Sequence, residues 1–599
     1  MCGINGVFDP KGEIADLREQ IAAMNRLFPY RGPDGEGAFV DSPAVLGMRR
    51  LAIIDLERGQ QPLFNEDRSV VLVCNGEIYN HVELRARLVR QGHHFATASD
   101  CETIVHLYED HGVDLLAELR GMFAFLLWDR RRKCLLAARD RLGLKPLYLA
   151  RRGRLVAFSS ELKVLIASGL ASSAISPDKL YESLRFTYPI DSRRTLARDV
   201  ERVPPGHYII ANEGGVLEKR YWDDDAMACQ PSMSAEEVES VIDESVRLHL
   251  RSDVPVAVLL SGGLDSALVA SYAHHYSGNL AAISAGYRGL HHCDERVDAR
   301  RSAAQIGLSL IEVELDDRDF ANLVPEIARH CDEPALDIAA IAQWALYGEC
   351  RHLGFKVVLS GIGGDELFFG YPAWNEIAAR LAPATALQLP GVAASHAKIL
   401  ASLGLDGDCG NGRARELMGS PLDTPEAVYA FIRRAYLTHN GLQLADKLGM
   451  GQSVEVRVPL VDHVLYEAAR RLPLGERFSL KESKPFLRRV MRGRLPEVVR
   501  VAAKRGFEPP TAFVRAVVDH HLAAILEDAN IRSLFPIDDL WKAHRSSPDQ
   551  SAPSRGRLTE IFARLSHKPP ASAWNWFLFE LVMATLSWQS WTRHSGESP

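Results

Sequence analysis

Cysteine is scarce in this chain and forms no framework. Nine cysteines in 599 residues, an odd number without CxxC spacing, suit a reducing compartment better than a disulfide scaffold. The run HHC at 291–293 sets three metal-ligating residues side by side, but adjacent positions lack the helical or knuckle spacing of ordinary metal sites. No apolar run reaches 18 residues, so no membrane-spanning helix is expected. The first residues, MCGINGVFDPKGE, lack the basic start and apolar core of a signal peptide, and the expected location is cytoplasmic. Neither sign of charge dominates: the net charge is −7 and the pI about 6.3. That balance gives no reason to expect nucleic acid or an anionic membrane as partner. No internal repeat is visible. What remains, 25% charged and 47% hydrophobic residues, is ordinary for a soluble globular protein, and the length accommodates two large domains.

Two patterns divide the chain. Residues 1–212 read as short strands broken by Gly, Pro and Asp turns, such as VVLVCNGEIY (70–79), MFAFLLWDRRRKCLLAARD (122–140) and RLVAFSS (154–160). Two helices, near 83–91 and 101–111, interrupt them, which predicts an α+β domain with antiparallel sheets. The polar stretch 223–237 reads as a linker. A second domain is predicted over 235–599. There, strands at 254–260, 280–286, 309–315 and 355–359 alternate with helices at 235–251, 264–276, 295–306 and 338–352. Such alternation predicts an α/β doubly wound parallel sheet. A largely helical extension follows. Its stretches 382–413 and 546–556 read as Pro- and Gly-rich loops, and WNWFLFELVMATLSWQSW (574–591) as an apolar helix packed on the core.

SGGLDS (261–266) follows the first of these strands and opens a helix. Ligands of parallel sheets bind beyond the carboxyl ends of strands. Glycines there let backbone N–H groups and the helix N-terminus approach an anion. A bare turn is the plainer reading; Ser261, Asp265 and Ser266 favour a nucleotide loop. No Walker A pattern occurs. SGGLDS resembles instead the pyrophosphate loop of enzymes that split ATP to AMP and pyrophosphate. LSGIGGDELFFGY (359–371) ends the strand at 355–359, so its acids should lie near the first loop. Asp265 and Asp365 would then share a Mg²⁺, which usually takes one or two carboxylates beside phosphate and water oxygens. GGDEL (363–367) also resembles the hairpin signature of cyclic-dinucleotide synthesising domains, a reading that leaves SGGLDS unexplained.

Removal of Met1 would give Cys2 both a thiol and an α-amine, and an amine titrating near about 8 can act as base for its own nucleophile. MCGINGVF (1–8), RGPDGEG (31–37), RRLAIIDL (49–56), NGEIYNH (75–81) and SDCE (99–102) follow in that order. Together they closely resemble the N-terminal-nucleophile glutaminase domain of class II amidotransferases. The resemblance implies that Cys2 attacks the glutamine side-chain amide, that Asn75 and the Gly76 N–H hold the oxyanion, and that Arg50 pairs with the glutamine α-carboxylate. It further implies that Glu77 and Asp100 face the α-ammonium. Arg49 reads as a surface contact.

Joined to the pyrophosphate loop, this domain resembles asparagine synthetase of the glutamine-hydrolysing B type, over almost the whole chain. CDEPALD (331–337), GQSVEVRVPLVDH (451–463) and KESKPFLRR (481–489) carry the match onward. The implied fold is an N-terminal-nucleophile sandwich followed by a pyrophosphate-loop ATPase sheet. The implied chemistry is adenylation of an acceptor carboxylate by ATP, then displacement of AMP by ammonia that crosses a mostly apolar passage. By the resemblance, Leu259, Ala285, Ser360 and Gly361 touch adenine and ribose, Gly262 and Gly263 belong to the phosphate loop, and Lys484 neutralises phosphate charge. A solvated helix lysine is the bland alternative for Lys484. Arg457 reads either as catalytic or as an ion pair supporting the fold. A homodimer is a family expectation.

The match departs at two places. Many asparagine synthetases carry an acid where Ile362 stands, in loops such as SGEGSDE. Isoleucine can neither take a proton from ammonium nor bind a cationic group. RVAAKRGFEPP (500–510) also departs from the usual RPKxGF. Either another residue supplies the charge, or the step needs none, or the acceptor differs from L-aspartate, which stays the default. Relatives amidate sugar acids, peptides and natural-product carboxylates. A β-lactam synthetase-type cyclase is a further alternative, although such relatives lack a working Cys2, and so is a non-catalytic scaffold.

Overall fold

The computed structural model describes residues 2–224, 231–278, 280–289, 294–380, 392–405, 424–502, 509–546 and 571–592. HHC at 291–293, residues 225–230 of the linker 223–237, most of 500–510 and most of 546–556 lie outside the described residues.

Two six-stranded antiparallel sheets build the first half. In one, Cys2–Phe8 lies between Leu155–Ser159 and Ala44–Arg50, in a register that sets Cys2 opposite Arg50. In the other, Val70–Ile78 pairs with Gly121–Asp129. Alternation explains how they meet. Ile4, Leu46 and Met48 from the first sheet and Val71, Val73, Leu126 and Trp128 from the second enter one buried cluster. The opposite face of Val70–Ile78 presents Leu72, Cys74 and Ile78 to Ile104 and Leu107 of the helix Glu102–His111. Both faces of that strand are therefore buried, and it reads as an unbroken apolar run.

More helix appears here than the two expected segments. Leu17–Arg26, Leu162–Ala167 and Pro177–Phe186 are also helical. The first is capped by Asp16, whose carboxylate accepts from the Arg18 and Glu19 N–H groups. It drives Ile21 and Met24 into the core. Its mean composition is polar, so tertiary burial rather than apolar content fixes it.

The second half is built on a five-stranded parallel sheet in the order Ser309–Leu315, Ala281–Tyr287, Val256–Leu259, Val357–Leu359, Glu455–Arg457. Numbered along the chain that order is 3-2-1-4-5, so strand order reverses between Val256–Leu259 and Val357–Leu359. Loops leaving adjacent strands at such a switch point diverge to opposite faces and open a crevice. The first helix, Ala235–His249, starts with a reciprocal Ser234–Glu237 capping box, so the predicted linker ends earlier than 237.

Three expectations need correction. Both central strands are shorter than 254–260 and 355–359. A helix, Asp317–His330, was not expected between strand and strand; Pro325 within it broke the pattern, yet the Asp316–Asp319 capping box secures its start. Val392–Ser402 is helical inside the stretch read as the loop 382–413. The apolar segment near 574–591 forms the helix Ala571–Thr592, with Phe577, Leu578, Leu581 and Val582 fully buried.

The two halves meet through charge as well as apolar contact. Arg31, fully buried, pairs with Glu161 at 3.3 Å and with Asp446 of the second half at 2.7 Å, while its Nε donates to the Cys2 carbonyl. Lys145 adds a second cation to Asp446 at 3.4 Å. Removing one partner of such a buried pair typically costs about 3–5 kcal/mol, because the other charge stays buried.

Candidate functional site

The first site grows from the strand pairing. With Cys2 opposite Arg50, and Val70–Ile78 in the facing sheet, the Cys2 N–H donates to Asn75 Oδ1 at 3.0 Å. That bond orients the amide, and Asn75 Nδ2, buried, has no hydrogen-bond partner among the described residues. A buried, unsatisfied donor costs about 1–3 kcal/mol unless something else accepts from it. Burial pushes the Cys2 thiol up to about 11, so at neutral pH it is protonated and needs a nearby base.

Arg50 is held by the carbonyls of Ile54 (3.0 Å) and Asp55 (2.7 Å). Asp100 accepts from the Ile78 N–H at 2.7 Å, which brings it beside Glu77. Burial first, then Asp100 and Glu455, push the Glu77 carboxyl well above the usual range. Two buried acids this close favour a cation between them. Arg49 pairs with the exposed Glu36 at 2.7 Å, as a surface contact should. Cys2, Arg50, Asn75, Gly76, Glu77 and Asp100 are thus gathered at one place.

The second site lies at the switch point. A cavity of about 640 Å³ opens there, within the range of small-molecule sites, about 300–1,000 Å³. Leu259, Ser261, Gly262, Gly263, Asp265 and Ser266 line one side; Ala285, Ser360, Gly361, Ile362, Asp365 and Lys484 line the rest. Glycine is required where the loops touch. A Cβ on Gly361 would lie 2.6 Å from the Ser266 nitrogen, and one on Gly364 2.4 Å from Asp265 Cγ. GGDEL follows a parallel strand and forms the short helix Gly364–Leu367, not a hairpin.

Lys484 stands between the two acids, its Nζ 2.5 Å from Asp265 and 2.5 Å from Asp365. It is 4% exposed, which removes the reading as a solvated lysine. Its backbone is left-handed (φ 54, ψ 50) immediately before Pro485, a conformation costing on the order of 1–3 kcal/mol. Two carboxylates that reach one nitrogen at 2.5 Å also form a donor set suited to a hard divalent cation. Glu366 accepts from Tyr371 Oη at 2.5 Å and so supports the loop behind this pair.

Arg457 does not line the cavity. It is fully buried on the edge strand, 2.5 Å from Glu455 and 3.5 Å from Glu77, and it donates to the carbonyls of His249 and Arg251. Of the two readings of Arg457, the ion pair is the one this geometry favours.

Glu580 escaped sequence reading. It lines the same cavity from the helix Ala571–Thr592 and is 2% exposed. Its Oε2 has no hydrogen-bond partner among the described residues; His396 Nδ1 lies 3.4 Å from it, and that nitrogen also lies 2.8 Å from the Leu184 carbonyl. Burial raises the Glu580 carboxyl to about 7. A lone acid inside an apolar, aromatic helix was the available signal.

Family comparison agrees with this division. A profile described as glutamine amidotransferase domain matches residues 1–222, and one described as asparagine synthase matches residues 237–593. The chain belongs to the asparagine synthase family and, like its asparagine synthetase homologues, is an ATP-dependent, glutamine-hydrolysing ligase. Glutamine-hydrolysing asparagine synthetase 1 of Bacillus subtilis is 34% identical over 557 residues, covering 85% of this chain and 87% of its own. Amidase chyE of Penicillium rubens is 29% identical over 653 residues, covering 92% and 95%. Glutamine-hydrolysing asparagine synthetase B of Escherichia coli is 31% identical over 393 residues, covering 62% and 65%. Among the described residues no helix is long and apolar enough to cross a membrane.

Proposed function

We propose that this protein adenylates an acceptor carboxylate with ATP and converts it to an amide with ammonia drawn from L-glutamine. The observation that carries this reading is the meeting of two glycine-bearing loops, two acids and Lys484 around one cavity at the sheet's switch point.

In the first half the Cys2 thiol attacks the glutamine amide carbon, and its α-amine, freed by loss of Met1, takes the thiol proton. Asn75 Nδ2, the buried donor with no partner among the described residues, and the Gly76 N–H donate hydrogen bonds to the developing oxyanion. Arg50 takes the α-carboxylate, and Glu77 with Asp100 the α-ammonium. Ammonia leaves, and water releases glutamate from the thioester. Asn75→Ala is expected to lower kcat for glutamine hydrolysis about 10²–10³-fold, the usual cost of one oxyanion donor. Ammonia-dependent amide synthesis should not change. Steady-state rates with each nitrogen source check this.

In the second half the acceptor carboxylate attacks the α-phosphorus and pyrophosphate departs. Ser261 to Ser266 hold phosphate oxygens, and Leu259, Ala285, Ser360 and Gly361 the nucleoside. Asp265 and Asp365 would hold Mg²⁺, which supplies charge neutralisation to pyrophosphate. Ammonia then attacks the acyl carbon and AMP leaves.

Glu580 supplies the acid that Ile362 lacks, accepting a proton as ammonia adds. Glu580→Gln is expected to slow ammonia-dependent amide formation about 10²-fold, the lower range for losing a positioned proton acceptor. ATP–pyrophosphate exchange should survive. Loss of both activities together would instead assign Glu580 to acceptor binding.

L-aspartate is the default acceptor. A different carboxylate is the second reading, favoured by Ile362 and by the apolar wall of Leu336, Ile338 and Trp576 around the acids. A panel of carboxylates in ATP–pyrophosphate exchange, with product masses, decides between them. Exchange with aspartate alone would remove the second reading, and exchange with no carboxylate would remove both.

A further inference from the structure

Outside both sites, four metal-ligating side chains converge in the first half. Glu66 sits in the turn after Leu63–Phe64. His93 follows the helix His81–Gln91, whose chain reverses at the left-handed Gly92. His106 and Glu109 are neighbours on the helix Glu102–His111. Their ligand atoms all lie within 4.8 Å of one another.

The spacings suit a shared ion better than direct hydrogen bonds. His106 Nδ1 is 3.3 Å from Glu109 Oε2 and 3.5 Å from Glu66 Oε2; His93 Nδ1 is 3.4 Å from the other Glu66 oxygen, Oε1, and 3.6 Å from Glu109 Oε2. Zinc bonds of about 2.0–2.1 Å to nitrogen or oxygen give a tetrahedral edge of about 3.3–3.4 Å. Hydrogen bonds to carboxylates would be near about 2.7–2.9 Å.

Three of the ligands are also held from behind by hydrogen bonds, and the fourth, His106, has a carboxylate behind it. His93 Nε2 lies 3.2 Å from Asp110, and His106 Nε2 lies 3.7 Å from Glu102. Carboxylates behind imidazoles are the usual outer support of metal-bound histidine. Asn65 Nδ2 donates to Glu109 at 2.8 Å, and the His94 N–H donates to Glu66 at 2.9 Å. His106 is fully buried, whereas Glu66 and Glu109 are partly open, which leaves a way in for a hydrated ion.

We propose that Glu66, His93, His106 and Glu109 form a zinc site. Two imidazoles and two carboxylates match zinc's ligand preference, and the two carboxylate charges cancel those of the ion. The ion would tie the turn at Glu66 and the loop after Gly92 to the helix Glu102–His111. That loop ends at Asp100, and Glu102 already holds its Ala96 and Thr97 N–H groups. The site would therefore stiffen the approach to Asp100, a consequence that rests on the proposed role of Asp100 in glutamine binding.

The test uses the full, untagged chain and needs no activity assay. After loading with Zn²⁺ and dialysis, elemental analysis should find about one zinc per chain. Co²⁺ in its place should give the visible bands of a tetrahedral ion. The double variant His93→Gln/Glu109→Gln, both partners partly exposed, should lose the zinc and the bands. Asp110→Asn should keep the site but weaken Zn²⁺ binding about 10–100-fold. A chelator should lower the melting temperature of the unaltered chain and not of the double variant. Equal metal content in the two proteins, or no metal retained by either, would overturn the assignment.

Discussion

Cys2→Ala protein is expected to make no amide from glutamine while making it from ammonium salts at the unaltered rate. Loss of a covalent nucleophile costs on the order of 10⁶ in kcat, which takes glutamine hydrolysis below detection. The thiol's surroundings argue for so complete an effect. Burial holds it protonated, near 11, so no neighbouring group substitutes for a thiol paired with its own amine. Alanine fits the space at little cost, because Cys2 is a small residue at 6% exposure in a paired strand. The two nitrogen sources, assayed at saturating ATP and acceptor, separate the halves. Failure with ammonia for every acceptor tried would count against the two-stage reaction itself.

Lys484→Met is the second large effect. Both nitrogen sources should fail, with ATP–pyrophosphate exchange lowered by about 10³-fold or more, the scale of losing one cation that stabilises phosphoryl transfer. Glutaminase activity should persist, which distinguishes lost chemistry from lost folding. The physical ground is the position of Nζ, 2.5 Å from each of two buried carboxylates. Without it, one of the cations that offset Asp265, Asp365 and the incoming triphosphate is lost. Arginine at 484 should rescue poorly: a planar fork does not replace a compact ammonium between two acids.

Both loops and both acids were legible because strand, glycine bend and helix follow one another in the chain, and alternation alone makes such strands parallel neighbours. The amino-terminal group was legible because its ordered segments are contiguous. What escaped reading depends on three-dimensional closure. Glu455–Arg457 is three residues long, two of them charged, and as the fifth strand it pairs with Val357–Leu359 and buries Arg457 against Glu455. Glu580 sits in a stretch that reads only as an apolar packing helix, and that helix lines the cavity. The four zinc-ligand candidates come from three separate segments, and only His106 and Glu109 stand at helical spacing.

Arg457 lies between the two candidate sites and touches both. Its guanidinium rests 3.5 Å from Glu77, and its own carbonyl accepts from the Ser360 N–H at 2.8 Å, at the start of the loop bearing Asp365. One residue thus spans from an acid proposed to bind glutamine to a turn proposed to bind the nucleotide. Linkage makes any such coupling reciprocal: by whatever factor ATP tightens glutamine binding, glutamine tightens ATP binding. A hydrolase joined to a synthetase in this way need not waste its nitrogen, since the first centre can be made to wait for the second to fill.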